Sequence, residues 1–402
     1  MSKSINVPKL RFKEFSGEWK NTNIGSIGTF FSGGTPASSN KSYYEGSIPF
    51  IGSGKIGANE VEQFITEEAL KNSSAKIVDI GDLLYALYGA TSGEVAISKI
   101  NGAINQAVLC IRTDENKIFL KTWFEKNKEN ILSTYLQGGQ GNLSAQIVKS
   151  LKLYLPSKQE QEKIASFLNQ VDIKIEQLIK KEQLLQQYKK SVMQKIFNQE
   201  IRFKDDDGSE FCEWEEKKLG NICKLQGGFA FKSEQFRKSG IPIIRISNIS
   251  NINNYIDREN IVYYDAIPND RNFSITNGDL IVAMSGATTG KASIYNLNEK
   301  AYLNQRVGLF RANKDKLYYG YLVQFVFSKL FYRQLDTVLV AGAQPNISSK
   351  DIEDFKFNLP CLKEQIKIAN FLSSIDSKIE QVQQHLNSTK EFKKALLQQM
   401  FV

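Results

Sequence analysis

The segment SGATTGKAS, residues 285–293, contains a glycine–lysine pair and follows the apolar run 280–284. This order resembles the phosphate-binding loop of nucleotide hydrolases, in which backbone N–H groups bind phosphates and a hydroxyl after the lysine binds magnesium. Ser285 stands where the first glycine is required, and Ala292 replaces the hydroxyl residue. The residues after Lys291 favour a strand, whereas a phosphate loop requires the N-terminus of a helix. The segment therefore argues against a nucleotide site of this type.

Histidine and cysteine chemistry is also disfavoured. The chain has one histidine, His385, and four cysteines without C-x-x-C spacing, Cys110, Cys212, Cys223 and Cys361. Zinc sites and Ser-His-Asp relays that use several histidines are therefore disfavoured, and we predict no metal site. Unpatterned cysteines in a chain without a signal peptide indicate reduced thiols.

The composition favours a soluble protein with a polyanionic partner. The 402-residue chain is 41% hydrophobic and carries a formal net charge of +9. This length is sufficient for two or three domains with their own cores. The basic excess favours nucleic acid, although an ordinary basic protein would have the same balance. No apolar run approaches the ~20 residues of a membrane helix, and no apolar signal core is present, so we expect a cytoplasmic protein.

The chain contains two copies of one unit. Residues 156–197 align without a gap to residues 360–401, with 17 identities in 42 positions. Upstream, GDLLYALYGATSGEVAI at 81–97 matches GDLIVAMSGATTGKASI at 278–294. The shorter matches are RFKEFSGEW at 11–19 with RFKDDDGSEFCEW at 202–214, Gly-Gly at 33–34 and 227–228, and Asn-Gln at 105–106 and 304–305. Similarity of this extent predicts a duplicated architecture, with a mixed domain and then a helix in each copy.

The segments 156–200 and 360–402 predict two long helices. Each starts at a proline and then lacks proline and glycine, and its apolar residues recur every seven positions. This pattern predicts a helix that packs a narrow seam against another helix. About 36 residues at ~1.5 Å each give a rod on the order of 54 Å. Pairing of the two helices with each other is the economical arrangement; the alternative is that each packs on its own domain.

The remaining segments, 1–155 and 201–359, predict strand-rich mixed domains of the α+β class. Their short apolar runs lie between Gly, Asn and Ser turns, and a helical stretch near 119–136 or 317–335 precedes each long helix. We therefore divide the chain into a first domain (1–155), a first helix (156–200), a second domain (201–359) and a second helix (360–402).

Each long helix is introduced by the motif L-P-x-x-x-E-Q, at 155–161 and 359–365. Two mixed domains that alternate with two such helices resemble the specificity (S) subunits of type I restriction-modification systems, over essentially the whole chain. The resemblance implies two homologous mixed α/β target recognition domains joined by two long antiparallel coiled-coil helices, in a pseudo-twofold internal repeat. It also implies a sequence-specific DNA-binding subunit that reads a bipartite target, one half with each domain.

The same resemblance implies the partners. These are double-stranded DNA, two modification (methyltransferase) subunits that bind the helices, and two restriction (endonuclease/translocase) subunits. S-adenosylmethionine, ATP and Mg would be held by those subunits, with no cofactor in this chain. The sequence contains no [DNS]-P-P-[YF] methyltransferase motif, so we expect the chain to be non-catalytic by itself. The alternative is a coiled-coil protein-protein adaptor without DNA readout.

Apolar residues of the first helix should face those of the second, or their neighbours further along the rod. The two sets are Ile164, Leu168, Val171, Ile175 and Leu178, and Ile368, Leu372, Ile375, Ile379 and Val382. We expect the polar residues between them to form solvated faces or contacts with the modification subunits. These are Glu160, Gln161, Asp172, Lys174 and Glu176, and the equivalent Glu364, Gln365, Asp376, Lys378 and Glu380.

Positions at which the two domains differ are candidates for base contact, because two readers on one scaffold should diverge where side chains meet base edges. The candidates are Ser53 and Lys55 against Arg245, Ser247 and Asn248, Glu94 against Lys291, and Ala107 against Arg306. For each, the alternative is an exposed residue that has drifted without function.

Shared polar and glycine positions have other interpretations. Gln140 and Asn142, with the equivalent Gln344 and Asn346, either satisfy loop backbone groups or contact the DNA backbone, and the same alternatives apply to the Asn-Gln pairs. The Gly-Gly pairs at 33–34 and 227–228 should adopt positive φ or allow a close approach to a DNA phosphate.

Overall fold

The computed structural model describes residues 6–135, 142–250, 254–340 and 346–402. The chain forms two compact units. The first unit contains Met1–Ile179 and Gln384–Val402, and the second contains Lys180–Gln383.

Among its described residues, the first unit has ten short strands and three α-helices before its long helix. The strands are β1 (Lys20–Asn23), β2 (Gly28–Ser32), β3 (Ile48–Ile51), β4 (Phe64–Ile65), β5 (Lys76–Val78), β6 (Leu83–Ala86), β7 (Val95–Ile97), β8 (Gly102–Ile104), β9 (Val108–Thr113) and β10 (Lys152–Leu155). The helices are α1 (Glu67–Lys71), α2 (Lys117–Tyr135) and α3 (Ala145–Ser150), and the long helix α4 (Lys158–Phe197) follows.

The second unit has an equivalent series. Its strands are β11 (Glu215–Lys218), β12 (Cys223–Gly227), β13 (Ile241–Ile244), β14 (Val262–Tyr264), β15 (Ser274–Ile275), β16 (Leu280–Ala283), β17 (Ala292–Ile294), β18 (Ala301–Leu303), β19 (Val307–Ala312) and β20 (Lys356–Leu359). Its helices are α5 (Tyr319–Val326), α6 (Lys329–Val340) and α7 (Ser349–Glu353), followed by the long helix α8 (Leu362–Met400).

The strand order is the same in both units. The first has a sheet β2-β9-β6-β7, a sheet β4-β3-β8-β5 and a pair β1-β10; the second has β12-β19-β16-β17, β14-β13-β18-β15 and β11-β20. Strands β3 and β8 are parallel, as are β13 and β18, whereas the other pairs are antiparallel. The predicted mixed fold and internal repeat are confirmed.

Strand β6 joins two cores in the first unit because side chains alternate between the faces of a strand. Leu83 and Tyr85 belong to the core that contains α2 and the long helices, whereas Leu84 and Ala86 belong to a core on the opposite face. All four residues are buried, as are the four residues of β16 in the second unit, which alternate in the same way. The central strand of each domain is thus fixed from both sides.

The start of each long helix packs against the end of the other helix. In the first unit Ile164 and Leu168 share a core with Leu396 and Met400. In the second unit Ile368, Leu372 and Ile375 share a core with Val192 and Ile196. The helices therefore run antiparallel within each unit.

At the helix starts the two apolar sets do not face each other but contact residues further along the rod, which is the second of the two expected arrangements, because in an antiparallel pair the two starts lie at opposite ends. Both apolar sets are buried or half-buried as expected, and Ile164 and Ile368 each lie in the core that contains the C-terminal end of the other helix.

Two equivalent ion pairs join the helices. Lys393 contacts Asp172 at 2.6 Å in the first unit, and Lys189 contacts Asp376 at 2.5 Å in the second. Both aspartates are therefore bound in ion pairs. The other predicted solvated residues of the helix faces are exposed: Lys174, Glu176, Lys378 and Glu380.

A buried carboxylate fixes the start of each long helix. Glu160 is 1% exposed and accepts hydrogen bonds from Nε and Nη2 of Arg11 at 2.7 and 2.8 Å. Glu364 is 0% exposed and accepts from Nη2 of Arg202 at 3.1 Å and from Nε1 of Trp214 at 2.8 Å. The expectation that these glutamates are solvated or contact a partner subunit is wrong, because each neutralises an arginine from the start of its own unit's repeat.

The adjacent glutamine is also buried. Gln161 donates to the carbonyl of Pro156 at 3.1 Å and accepts from the backbone N–H of Asn116 at 3.0 Å. Gln365 donates to the carbonyl of Pro360 at 2.8 Å and accepts from the N–H of Tyr318 at 2.7 Å. We call the arginine, glutamate and glutamine of each unit the helix-start cluster: Arg11, Glu160 and Gln161, and Arg202, Glu364 and Gln365.

Within the described residues, no helix is both long and apolar enough to cross a membrane.

The helix-start cluster predicts a large stability effect for Glu364→Gln. The substitution keeps an acceptor for Trp214 but removes the charge that neutralises Arg202. We expect the free energy of unfolding to fall by about 2 kcal/mol, less than the ~3–5 kcal/mol for a fully buried ion pair that loses one partner, because Arg202 is partly exposed. Urea denaturation of the whole chain measures it. Lys363→Gln breaks an exposed ion pair one residue earlier and should have no measurable effect, so equal effects would contradict the assignment.

Candidate nucleic-acid interface

The parallel strand pairs bring two divergent loops to one edge of each unit. Strand β3 lies parallel to β8, with Ile51 opposite Ile104, and β13 lies parallel to β18, with Ile244 opposite Leu303. The segments after these strands therefore leave from the same edge. In the first unit they are 52–55 and 105–107, and in the second they are 245–248 and 304–306.

The repeated G-A-T-x-G segments form matching turns. Gly89 and Gly93 have φ values of 90° and 80°, and Gly286 and Gly290 have 82° and 80°. The first turn connects β6 to β7 and the second connects β16 to β17. The strand expected after Lys291 is thus confirmed, and no helix N-terminus is available there to bind a phosphate.

The turns contact the neighbouring loops through backbone hydrogen bonds. In the first unit, the N–H of Leu87 donates to the carbonyl of Ala107 at 2.8 Å, and the N–H of Leu143 donates to Leu87 at 3.0 Å. In the second unit, Met284 donates to Arg306 at 2.9 Å, and Ile347 donates to Met284 at 2.9 Å. We call these segments the loop cluster of each unit: 52–55, 87–94, 105–107 and 142–143 in the first, and 245–248, 284–291, 304–306 and 346–347 in the second.

The side chains of the first loop cluster are partly engaged. Lys55 forms an exposed ion pair with Glu62 at 2.7 Å, and Ser53 is half-buried. Glu94 is exposed and contacts the ammonium of Lys128 on α2. The residue aligned with Glu94 in the second unit, Lys291, is half-buried, so the two positions differ in surroundings as well as in charge.

In the second loop cluster, Asn248 holds the loop together. Its side chain is 0% exposed, accepts from the backbone N–H of Arg245 at 3.1 Å, and donates to the carbonyls of Asp257 and Glu259 at 3.3 and 3.0 Å. A side chain with this burial does not reach a base edge, so the prediction that Asn248 contacts a base is wrong.

Arg245 and Ser247 flank that asparagine. The guanidinium of Arg245 donates to the carbonyl of Asn260 at 2.8 Å and lies over the ring of Phe236, whereas Ser247 is exposed. Arg245 is therefore partly committed to its own loop, and Ser247 remains accessible.

The Asn-Gln pairs satisfy backbone groups. The side-chain oxygen of Asn105 accepts from the N–H of Ala107 at 3.0 Å, and that of Asn304 accepts from the N–H of Arg306 at 3.3 Å. Beyond this shared bond the units differ, because Ala107 is buried and Arg306 is exposed. Of the remaining candidates, Asn142 and Asn346 are exposed, and Gln140 and Gln344 lie outside the described residues.

The paired glycines have a structural role that differs from the expected one. None of the four, Gly33, Gly34, Gly227 and Gly228, has a positive φ. A Cβ atom at Gly33 would lie 1.7 Å from the carbonyl oxygen of Ile104, and one at Gly228 would lie 2.2 Å from that of Leu303. The expectation of positive φ is therefore wrong, and the close approach is to the chain's own backbone.

The described part of the chain shows neither a cluster of metal ligands nor a reactive thiol among its two buried cysteines. It contains no group of three or more His, Cys, Asp or Glu residues that could hold a metal ion. Burial raises the pKa of the Cys110 and Cys223 thiols to about 12, so both stay protonated at neutral pH. Protonated thiols are poor nucleophiles.

Sequence reasoning missed Arg11 and Arg202 as the partners of the helix-start glutamates. The repeated R-F-K triplet at the start of each unit was the available signal. An arginine that recurs at the same place in both copies is a candidate partner for a repeated carboxylate.

Comparison with known proteins identifies the family of this chain. A family model described as the type I restriction modification DNA specificity domain matches residues 16–187 and 212–390. The type I restriction enzyme MjaVIII specificity subunit of Methanocaldococcus jannaschii is 26% identical over 96% of this chain and 94% of its own length.

Solved structures share the fold. The S subunit of a type I restriction-modification system from M. genitalium superposes with a TM-score of 0.64 at 16% identity, covering 98% of this chain and 99% of its own. A chain from a structural study of type I restriction-modification complex assembly and conformational transition superposes with a TM-score of 0.53 at 16% identity, covering 95% and 97%.

The matching turns predict that Gly290→Ala destabilises the second unit. A Cβ atom at Gly290 would lie 2.0 Å from Cδ2 of buried Leu335, and its φ of 80° disfavours an L side chain. We expect a loss of about 2 kcal/mol in the free energy of unfolding, measured by urea denaturation. Gly227→Ala is the matched control, because its Cβ atom would meet no atom within 4 Å. A smaller loss for Gly290→Ala than for the control would show that the turn is not constrained.

Proposed function

The chain belongs to the DNA specificity subunits of type I restriction-modification systems, and we propose that its two units divide the recognition of a target between them. As a member of this family it recognises DNA through two recognition domains, and it is the recognition chain of the complex, not the catalytic one. We propose that each loop cluster contacts one half of a split target sequence.

One observation carries the assignment to the loop clusters. The same loops meet at the same edge of both units through the same backbone hydrogen bonds, yet their side chains differ in charge and size. A constant scaffold with variable exposed side chains is what two readers of different half-sites require. The proposed base contacts are Ser53, Lys55 and Glu94 in the first unit, and Arg245, Ser247, Lys291 and Arg306 in the second.

Affinity for the duplex would come mainly from the phosphates. The net charge of +9 supports favourable counterion release on binding, which is independent of base sequence. Asn142 and Asn346 are exposed at the edge of each loop cluster, and we propose that they contact the DNA backbone. We predict the same contact with the DNA backbone for Gln140 and Gln344.

The long helices would set the distance between the half-sites. Their starts are fixed to the domains by the helix-start clusters, and their antiparallel contacts in each unit are apolar residues and ion pairs. We propose the segment bounds 1–155, 156–200, 201–359 and 360–402 for the two recognition domains and the two spacer helices.

The chemistry would be carried out by partners. We propose that two modification subunits bind the helices and methylate an adenine turned out of the duplex, and that two restriction subunits complete the complex in the cytoplasm. S-adenosylmethionine, ATP and Mg would be bound by those partner subunits. The glycine–lysine segment of this chain is a turn between two strands and is not a phosphate-binding loop. The adaptor alternative without DNA readout is not favoured, because the family match covers both domains.

Exchange of residues 201–359 for the corresponding domain of another family member should change one half of the methylated sequence only. The physical reason is that each loop cluster is built entirely within one unit. Genome-wide mapping of N6-methyladenine with the modification subunit present measures the sequence. A change in both halves would contradict the modular assignment, and exchange of residues 1–155 is the matched control for the other half.

Lengthening both long helices should lengthen the unread spacer. Insertion of 21 residues (three heptads) into each helix, after Ile179 and after Gln383, preserves the apolar phase. It lengthens each helix by roughly 32 Å at ~1.5 Å per residue. At ~3.4 Å per base pair this corresponds to about nine base pairs, close to one turn of DNA. The same methylation mapping reports the spacer, and an unchanged spacer would refute the role of the helices.

A further inference from the structure

We propose that Arg306 reads a guanine in the half-site bound by the second unit, and that the first unit makes no equivalent contact. This inference rests on the proposed function and assigns a base identity to one position of it.

The backbone of Arg306 is fixed on both sides. Its N–H donates to the side-chain oxygen of Asn304 at 3.3 Å, and its carbonyl accepts from the N–H of Met284 at 2.9 Å. The side chain is exposed, and its guanidinium has no hydrogen-bond or ion-pair partner among the described residues. Because the loop backbone is already held in place, the long cationic side chain can bind a ligand without the entropic cost of ordering the loop.

The other arginines of the second unit are used differently. Five of the eight donate to groups of the protein: Arg202 to Glu364, Arg237 to Asp265, Arg245 to Asn260, Arg258 to Asn296 and Arg311 to Gln226. The remaining three are exposed, and two of these lie outside the loop cluster, Arg271 in a short 3-10 turn and Arg333 on α6. Arg306 is thus the arginine of this loop cluster whose donors are all available.

Its surroundings also differ from those in the first unit. Gln305, which precedes Arg306, is exposed and its side chain has no hydrogen-bond partner among the described residues. Phe229, which lies beside this loop, is 42% exposed. In the first unit the equivalent Gln106 is bound by the hydroxyl of Thr35, and Ala107 is buried. At the position of Arg306 the loop therefore presents an exposed guanidinium in the second unit and a buried methyl group in the first.

Guanine is the base that matches a free guanidinium. In the major groove guanine presents two acceptors, O6 and N7, which accept two parallel N–H donors, whereas adenine presents one acceptor beside a donor. Cytosine presents a donor that would face the guanidinium, and thymine presents a single acceptor beside a methyl group. A contact to phosphate would use the same charge but would carry no base preference.

The test uses the methyltransferase assembled from the whole chain and its modification subunit. Methylation rates are measured on duplexes that carry each of the four bases, in turn, at every position of the half-site assigned to residues 201–359 by the domain exchange. The variants are Arg306→Ala and, as the charge-matched control, Arg333→Ala. Both guanidinium groups are exposed and have no hydrogen-bond or ion-pair partner among the described residues, so neither substitution removes such a contact.

We expect the wild-type half-site to contain a guanine whose preference over the other bases falls about 10- to 100-fold in R306A, the range of one bidentate contact. The other positions and the first half-site should keep their preferences, and R333A should keep them all. A half-site without guanine, or an R306A variant that lowers the rate equally on all duplexes, would overturn this inference and leave the proposed function intact. A wild-type complex that methylates no split sequence would overturn both.

Discussion

The buried ion pair at the start of each long helix is the interaction on which the unit depends. A carboxylate as buried as Glu160 or Glu364 is costly unless a cation and further donors neutralise it. The cation comes from an arginine 149 or 162 residues away in the chain, at the beginning of the repeat unit. The chain must therefore return to its own beginning before the helix starts, and each mixed domain is closed at its base.

The neighbouring glutamine extends this constraint to the domain. Its amide joins the proline before the helix to the loop that precedes α2 in the first unit and α5 in the second. The long helix, the mixed domain and the arginine-bearing start of the repeat thus meet at the three polar side chains of the helix-start cluster. These contacts explain why an arginine recurs at the start of each repeat unit and a Glu-Gln pair at the start of its long helix.

Much of this architecture could be predicted from the sequence because repeats and periodicity are local signals. The seven-residue pattern predicted the long helices, and the duplicated segments predicted equivalent domains. The pattern alone does not encode the direction of the helices, so it left open whether residues 164–178 face residues 368–382 or residues further along the rod. Glu160 and Gln161 have the composition of a solvated face, and only their distant partners make them core residues. In the loop cluster, alignment located the variable segments, but it did not reveal that Asn248 is buried or that Glu94 contacts Lys128.

The strand that joins two cores, β6 and its counterpart β16, has a consequence for evolvability. All four of its residues are buried, so its sequence is restricted, whereas the turn that follows ends at exposed Glu94 in the first unit and at half-buried Lys291 in the second. Surface substitutions away from such fixed features usually change stability by less than about 0.5 kcal/mol. Mutational drift can therefore alter the exposed positions of one loop cluster while the fold of that unit and the whole of the other unit retain their stability. On the proposed assignment of base contacts to the loop clusters, a lineage of such proteins would acquire new targets by single substitutions as well as by exchange of a domain.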